Sequence, residues 1–227
     1  MPDQHHQVSG ISRRTLCAGA AGVAAMLGLG CLKFVPESSL LRPPGGQDED
    51  RLLSACIRCE KCYTICPNDV IRPAHVEDGL IGMRTPQLVF PTSGAGDVEN
   101  IKYCDFCTQA NNGVPLCVQA CPTKALSLPA DATAETYVIG IAKITQEECL
   151  AYRLKGCHFC YDACPYEAIE MDDDGMPHVI EDKCTGCGAC EAACVSLQDA
   201  SIASGATRRA IYVDPTVTSA TDPASNQ

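Results

Sequence analysis

Apolar residues in this chain come in brief runs, and turn-forming residues interrupt almost every one of them. Leu52, Leu53 and Ala55 predict a short helix near residue 51. Ala125-Leu126-Ser127-Leu128 and Ala168-Ile169-Glu170-Met171 are two further short runs. After the second, Asp172-Asp173-Asp174-Gly175 predicts a turn, and His178-Val179-Ile180 returns as the partner strand. Tyr137 to Thr145 alternates in part and is the longest strand candidate. Residues 36–50, rich in Pro, Gly and acidic residues, predict a turn-rich linker that cannot continue a helix. Residues 215–227 are polar and predict a disordered tail.

One stretch departs from this pattern. Thr15 to Leu32 is uncharged, 18 residues long, and rich in Ala, Gly and Leu. As a helix it would extend about 27 Å against roughly 30 Å of hydrocarbon, and four glycines interrupt it, so it is a marginal span. Ser12-Arg13-Arg14-Thr15-Leu16 stands immediately before it. A paired arginine ahead of a weakly apolar segment is the twin-arginine pattern for export of folded proteins. Residues 1–35 are therefore expected to be an export signal, with retention as a membrane tether the alternative. Cys17 and Cys31 lie within it and have no ligand role.

The remaining sixteen of the eighteen cysteines fall into four quartets. Cys56, Cys59, Cys62 and Cys66, followed by Pro67, spell C-x2-C-x2-C-x3-C-P. Cys184, Cys187, Cys190 and Cys194 repeat that spacing with Val195 in place of the proline. Cys104, Cys107, Cys117 and Cys121 with Pro122, and Cys149, Cys157, Cys160 and Cys164 with Pro165, keep the C-x3-C-P ending and stretch one internal gap. A 4Fe–4S cubane needs four thiolates, three of which a tight run can present, while the distal cysteine commonly ligates the neighbouring cluster. Sixteen ligands make four 4Fe–4S clusters with none left over. Structural zinc prefers C-x2-4-C pairs set far apart, and disulfide frameworks do not repeat x2-x2-x3 spacing. The expected fold for residues 51–214 is therefore α+β and ferredoxin-like, with short strands and helices packed around four clusters.

Composition sharpens this picture. Aromatics are 5% of the 227 residues and Trp is absent, so a conventional core would be thin. Metal binding then supplies folding free energy, and the apoprotein is expected to be largely unfolded. The net charge is −11, and residues 37–227 hold 14 basic against 27 acidic residues. Such a surface argues against nucleic acid as a partner and suits basic redox proteins, with plain solubility the alternative reading of the charge. His158, Tyr63, Phe106, Phe159, Tyr161 and Tyr166 flank ligands and are expected to shield clusters from water rather than tune them. His75 and His178 are expected at the surface. No nucleotide loop, nucleophile elbow or carboxylate pair points to catalysis by this chain alone.

Arg13-Arg14, Leu41-Arg42-Pro43-Pro44-Gly45, Ser54-Ala55-Cys56-Ile57-Arg58-Cys59, the wide third quartet through Gly156-Cys157-His158-Phe159-Cys160-Tyr161, and Cys184-Thr185-Gly186-Cys187-Gly188-Ala189-Cys190 together resemble the NapG/MauM family of ferredoxin-type proteins. The resemblance covers most of the chain. It implies a periplasm-facing electron carrier with four 4Fe–4S clusters, part of a quinol dehydrogenase. Its donor would be an integral membrane ferredoxin-type protein that oxidises quinol. Its acceptor would be a periplasmic c-type cytochrome or reductase, with nitrate reduction one destination and amine oxidation another. The alternative is the iron–sulfur subunit of an exported molybdenum enzyme. Two departures stand out: the nine-residue gap between Cys107 and Cys117, and the absent proline after Cys194.

Overall fold

Helix α1 (Glu49–Ala55) begins where capping allows it. Asp48 is extended, its carboxylate accepts from the Arg51 amide at 3.0 Å, and Glu49 and Asp50 sit at the positive end of the helix dipole. Leu52 is its wholly buried anchor. The computed structural model describes residues 40–93, 98, 100–154, 156–197 and 206–215, together with Gly22. The twin-arginine stretch, residues 36–39 of the expected linker, and the tail beyond Pro215 lie outside the described residues. Among those described, no helix is long and apolar enough to cross a membrane.

The part of the expected linker that is described is turn-rich, yet it is built into the interior. Pro43 and Pro44 are fully buried, and Arg42 is only 3% exposed. A buried guanidinium needs partners, and Arg42 has three. Its Nε donates to Glu49 at 2.8 Å, and Nη1 donates to Thr85 Oγ1 at 2.9 Å and the Pro86 carbonyl at 2.8 Å. The segment thereby ties α1 to the first sheet.

Three two-stranded antiparallel ladders follow. Strand β1 (Ile71–Pro73) pairs with β2 (Pro86–Leu88), with Ile71 opposite Leu88. Strand β3 (Ile141–Ile144) pairs with β6 (Ile211–Asp214), with Ile144 opposite Ile211. Strand β4 (Ile169–Met171) pairs with β5 (Pro177–Val179). The last is the hairpin expected around Asp172–Gly175. Asp172 Oδ1 accepts from the amides of Asp174 and Met176, and Gly175 turns at φ +77°. His178 is exposed, as expected, but it has a partner in Asp172 Oδ2 at 2.9 Å.

The strand expected over Tyr137–Thr145 is shorter than its pattern. Only Ile141–Ile144 form a ladder, because the preceding residues are held by other backbone: the Ile139 amide donates to the Thr185 carbonyl at 2.8 Å. Ala125 and Leu126 are buried without forming a strand, and Ser127 bonds the Gly45 carbonyl instead.

The core is thin, and cysteines belong to it. One cluster gathers Leu52, Val70, Leu88, Phe90, Leu126, Ile139, Ala192 and Val213 with Cys117. A second gathers Ile141, Ala168, Ile169 and Ile211 with Cys160, Cys184 and Cys190. Because Ala192 and Val213 join the first group, the two halves of the chain share one interior. Arg209 clasps them together, donating to the Phe90 carbonyl at 2.6 Å, Thr92 Oγ1 at 2.5 Å and Glu191 at 3.3 Å.

Candidate metal centres

Four short helices carry the chemistry: α2 (Lys61–Thr64), α4 (Leu116–Gln119), α6 (Phe159–Asp162) and α7 (Ala189–Ala193). Each holds the third cysteine of its quartet, Cys62, Cys117, Cys160 or Cys190, and releases the distal cysteine just past its end. Two more short helices, α3 (Thr108–Asn111) and α5 (Leu150–Leu154), occupy the stretched gaps of the second and third quartets. Single 3-10 turns at Gln146–Glu148 and Glu181–Lys183 deliver the chain into Cys149 and Cys184.

After three of the distal cysteines the backbone takes the same left-handed step. Asp69, Lys124 and Glu167, each three residues past the cysteine of a Cys-Pro pair, have φ of 54°, 55° and 50°. Each amide there points back to the cysteine carbonyl. Leu197, at the matching place after Cys194, is absent from the left-handed residues, in keeping with the missing proline.

The sixteen described cysteines are all free thiols, and they line four cavities of four thiols each. Site A is lined by Cys56, Cys59, Cys62 and Cys121. Site B takes Cys66, Cys104, Cys107 and Cys117. Site C takes Cys164, Cys184, Cys187 and Cys190. Site D takes Cys149, Cys157, Cys160 and Cys194. Every site combines three cysteines of one quartet with the distal cysteine of another. The first quartet exchanges with the second, and the third with the fourth. Spacing alone left this pairing open.

The donor geometry suits a polynuclear group. Among the described residues, no three or more His, Cys, Asp or Glu side chains come together closely enough to hold a single metal ion. The thiols instead surround a space, which a zinc ion could not span with bonds of about 2.3 Å. Backbone amides point at sulfur in the manner that tunes iron–sulfur potentials: Leu116 N to Cys107 at 3.5 Å, Ala142 N to Cys184 at 3.4 Å and Ala168 N to Cys164 at 3.3 Å.

Burial pushes Cys62, Cys160 and Cys187 up to about 12 and holds Cys117 and Cys190 well above the ordinary thiol range, with neighbouring thiols adding to the rise. Only a cationic core would let such a set ionise together. Cys121 runs the other way: burial raises it, but hydrogen bonds from Leu126, Thr123 and Ala125 outweigh that and lower it.

The sites also have an order. A and B are joined by the exchange between the first two quartets, and C and D by that between the last two. B and C meet directly, since the Cys104 amide donates to the Cys187 carbonyl at 2.9 Å. Tyr166, pushed up to about 12 by burial and then by Cys187, also feels Cys104 across the same junction. The four cavities therefore stand in the series A, B, C, D.

Each cavity has one aromatic wall: Tyr63 at A, Phe106 at B, Tyr166 at C and Phe159 at D. That matches the expected shielding role. Tyr161 is instead half exposed, and His158 is exposed and paired with Asp162 Oδ2 at 2.5 Å. Two hydroxyls were not singled out from sequence. Ser196 Oγ lies 3.3 Å from Cys194 Sγ, and Thr123 Oγ1 lies 3.8 Å from Cys121 Sγ. Both serve the terminal sites, and the signal was a hydroxyl two residues past the distal cysteine. The nine-residue gap in the second quartet ends beside an open groove that Cys121, Val114, Pro115 and Leu128 border.

Comparison with known proteins agrees with this division. Residues 55–126 and residues 142–199 each match the 4Fe-4S dicluster domain family. The first segment encloses all ligands of sites A and B, and the second those of C and D. Over 81% of the chain it is 37% identical to the methylamine utilization ferredoxin-type protein MauM of Methylorubrum extorquens, covering 84% of that protein. It is 36% identical to MauM of Methylophilus methylotrophus over 81% of the chain and 79% of the relative. It is 32% identical to the ferredoxin-type protein NapG of Escherichia coli over 80% of the chain and 78% of the relative. The two matched segments differ in charge: the first holds six lysines and arginines against seven acids, the second four against twelve.

Proposed function

The chain belongs to the NapG/MauM family of ferredoxin-type iron–sulfur electron-transfer proteins, and from that footing we propose that it relays electrons along four 4Fe–4S clusters held at sites A to D. The observation that carries this reading is the set of four four-thiol cavities arranged in series. Each cluster, when bound, supplies a one-electron redox centre. The chain's own part is to supply sixteen thiolates, hold neighbouring sites in contact, wall each site with one aromatic and aim amide donors at sulfur. No step asks for a general acid, base or nucleophile from the protein. The test is chemical: anaerobically purified protein should contain about sixteen irons and about sixteen acid-labile sulfides per chain, four of each per cubane. Half that content, with either matched segment alone carrying all of it, would reduce the relay to two clusters.

The electrons would come from an integral membrane ferredoxin-type protein that oxidises quinol and would leave to a periplasmic c-type cytochrome or reductase. The relatives' names support the ferredoxin-type class, and those of MauM add methylamine utilization, so amine oxidation stands beside nitrate reduction as a destination. Work outside the cytoplasm is supported by Ser12-Arg13-Arg14-Thr15-Leu16 ahead of an uncharged stretch. Replacing Arg13 and Arg14 by Lys should hold the protein in the cytoplasm. Unaltered delivery would contradict folded export. Capture from mild-detergent membranes should return a polytopic ferredoxin-type protein, whereas a large molybdopterin subunit would assign this chain to that other class of complex.

A further inference from the structure

Site A differs from the other three in what borders it. Arg58, Glu60, Lys61 and Arg84 all line its cavity, whereas C and D have no charged lining residue and B has only Asp105. Cys59 is also exposed, alone among the sixteen cysteines in that respect. Site A is thus the end of the series at which a ligand itself reaches solvent.

The surface around Cys59 is apolar and held in place. Ile57 and Ile81 are each 63% exposed, and Leu80 and Met83 are close to half exposed. These side chains come from two loops, the Cys59 loop and the tip of the β1–β2 hairpin. Arg58 joins them, donating from Nε to the Met83 carbonyl at 2.9 Å and from Nη2 to the Ile81 carbonyl at 3.4 Å. Arg84 pairs with Glu60 across the same seam. Arg58 and Glu60 adopt φ of 56° and 70°, where the fourth quartet uses Gly186 and Gly188 at the corresponding positions. Phe106 makes the same turn at φ 57° in the buried second quartet, so the conformation belongs to the ligand loop. What site A adds is the pair of loops tied by Arg58, which carry four exposed apolar residues beside Cys59.

We propose that this patch is the docking surface for a redox protein that presents an apolar face edged by carboxylates. Charge complementarity selects that partner: the rim of site A itself carries Arg58, Lys61 and Arg84 against Glu60, with Glu77 and Asp78 further along the hairpin loop, on a chain that is otherwise acidic. Apolar contacts would supply the anchors, and the cations would set the orientation and exclude basic partners. The proposal rests on the electron-relay reading and names the end at which one partner docks.

The test uses the full holoprotein and a surface of the stated chemistry, a gold electrode coated with mixed methyl- and carboxylate-terminated alkanethiols. Wild-type protein should exchange electrons with it. Ile57→Glu with Ile81→Glu should slow the exchange by about tenfold or more, as loss of interface anchors does, at unchanged iron content and an unchanged spectrum after dithionite reduction. Ile81→Glu, on a hairpin that supplies no ligand, carries the test alone if the double variant loses iron. Leu154→Glu, an exposed apolar position in the other half, should exchange at the wild-type rate. Wild-type speed in the double variant, or equal slowing by Leu154→Glu, overturns the proposal. So does a double variant that loses binding to phosphatidylglycerol vesicles while keeping its electrode rate, which would make the patch a lipid contact. Wild-type protein that dithionite cannot reduce would instead contradict the relay itself.

Discussion

The first and fourth quartets have identical spacing and the same backbone path, and they differ in what presses against them. In the fourth, Gly186 and Gly188 turn at φ +74° and +84°, and a Cβ on either would lie 2.3 Å from the Gly140 backbone or 2.2 Å from the Phe90 ring. In the first, Arg58 and Glu60 make the same turns with full side chains, facing solvent and the hairpin tip. Cys187 is accordingly buried and Cys59 exposed. The lesson is that one ligand loop can serve as an inner junction or an outer end, and that glycine is required only where another part of the protein packs onto it. The series of sites follows from this: site C is enclosed by the other half, and site A looks outward.

The comparison can be broken most forcefully by taking away what both loops surround. Extraction of iron by a chelator should abolish the cooperative thermal transition, since cysteines form part of both core clusters and binding energy here is folding energy. Retained melting of the iron-free chain would show that the thin core suffices. Next in size is Gly186→Ala, expected to cost roughly 1–3 kcal/mol from overpacking on top of about 1 kcal/mol for the left-handed backbone. Arg58→Gly should stay within about 1 kcal/mol of wild type, because the relieved backbone offsets the lost ties. Equal melting shifts for the two would erase the distinction between inner and outer loops. Smallest is Arg84→Ala, which removes an exposed ion pair with Glu60 and should change stability by about 0–1 kcal/mol. A larger loss would mean that the seam holds site A together rather than shaping its surface.

Sequence made the ligands legible because cubane ligation repeats a local spacing, and the hairpin around Asp172–Gly175 because turn chemistry is local too. It did not reveal which distal cysteine serves which cavity, since that depends on which helices pack together, α2 with α4 and α6 with α7. Residues 42–46 looked like linker because Pro and Gly dominate them. Their burial depends on Arg42 finding Thr85 and Pro86 more than forty residues away. Tyr137–Thr145 carried a strand pattern longer than its ladder because Gly140 packs against the Gly186 turn, a contact no local period encodes. Arg209, which binds the halves together through Phe90 and Thr92, had no motif to mark it.

The exchange of distal cysteines, on which the serial order rests, is most directly tested by comparing Cys59→Ser, Cys107→Ser and Cys121→Ser in the dithionite-reduced holoprotein by electron paramagnetic resonance with iron analysis. Cys121 lies in the second quartet but lines site A with Cys59. The Cys121→Ser spectrum should therefore lose the same component as Cys59→Ser and leave intact the one lost in Cys107→Ser. A Cys121→Ser spectrum that instead matches Cys107→Ser would contradict the exchange and, with it, the order of the four sites.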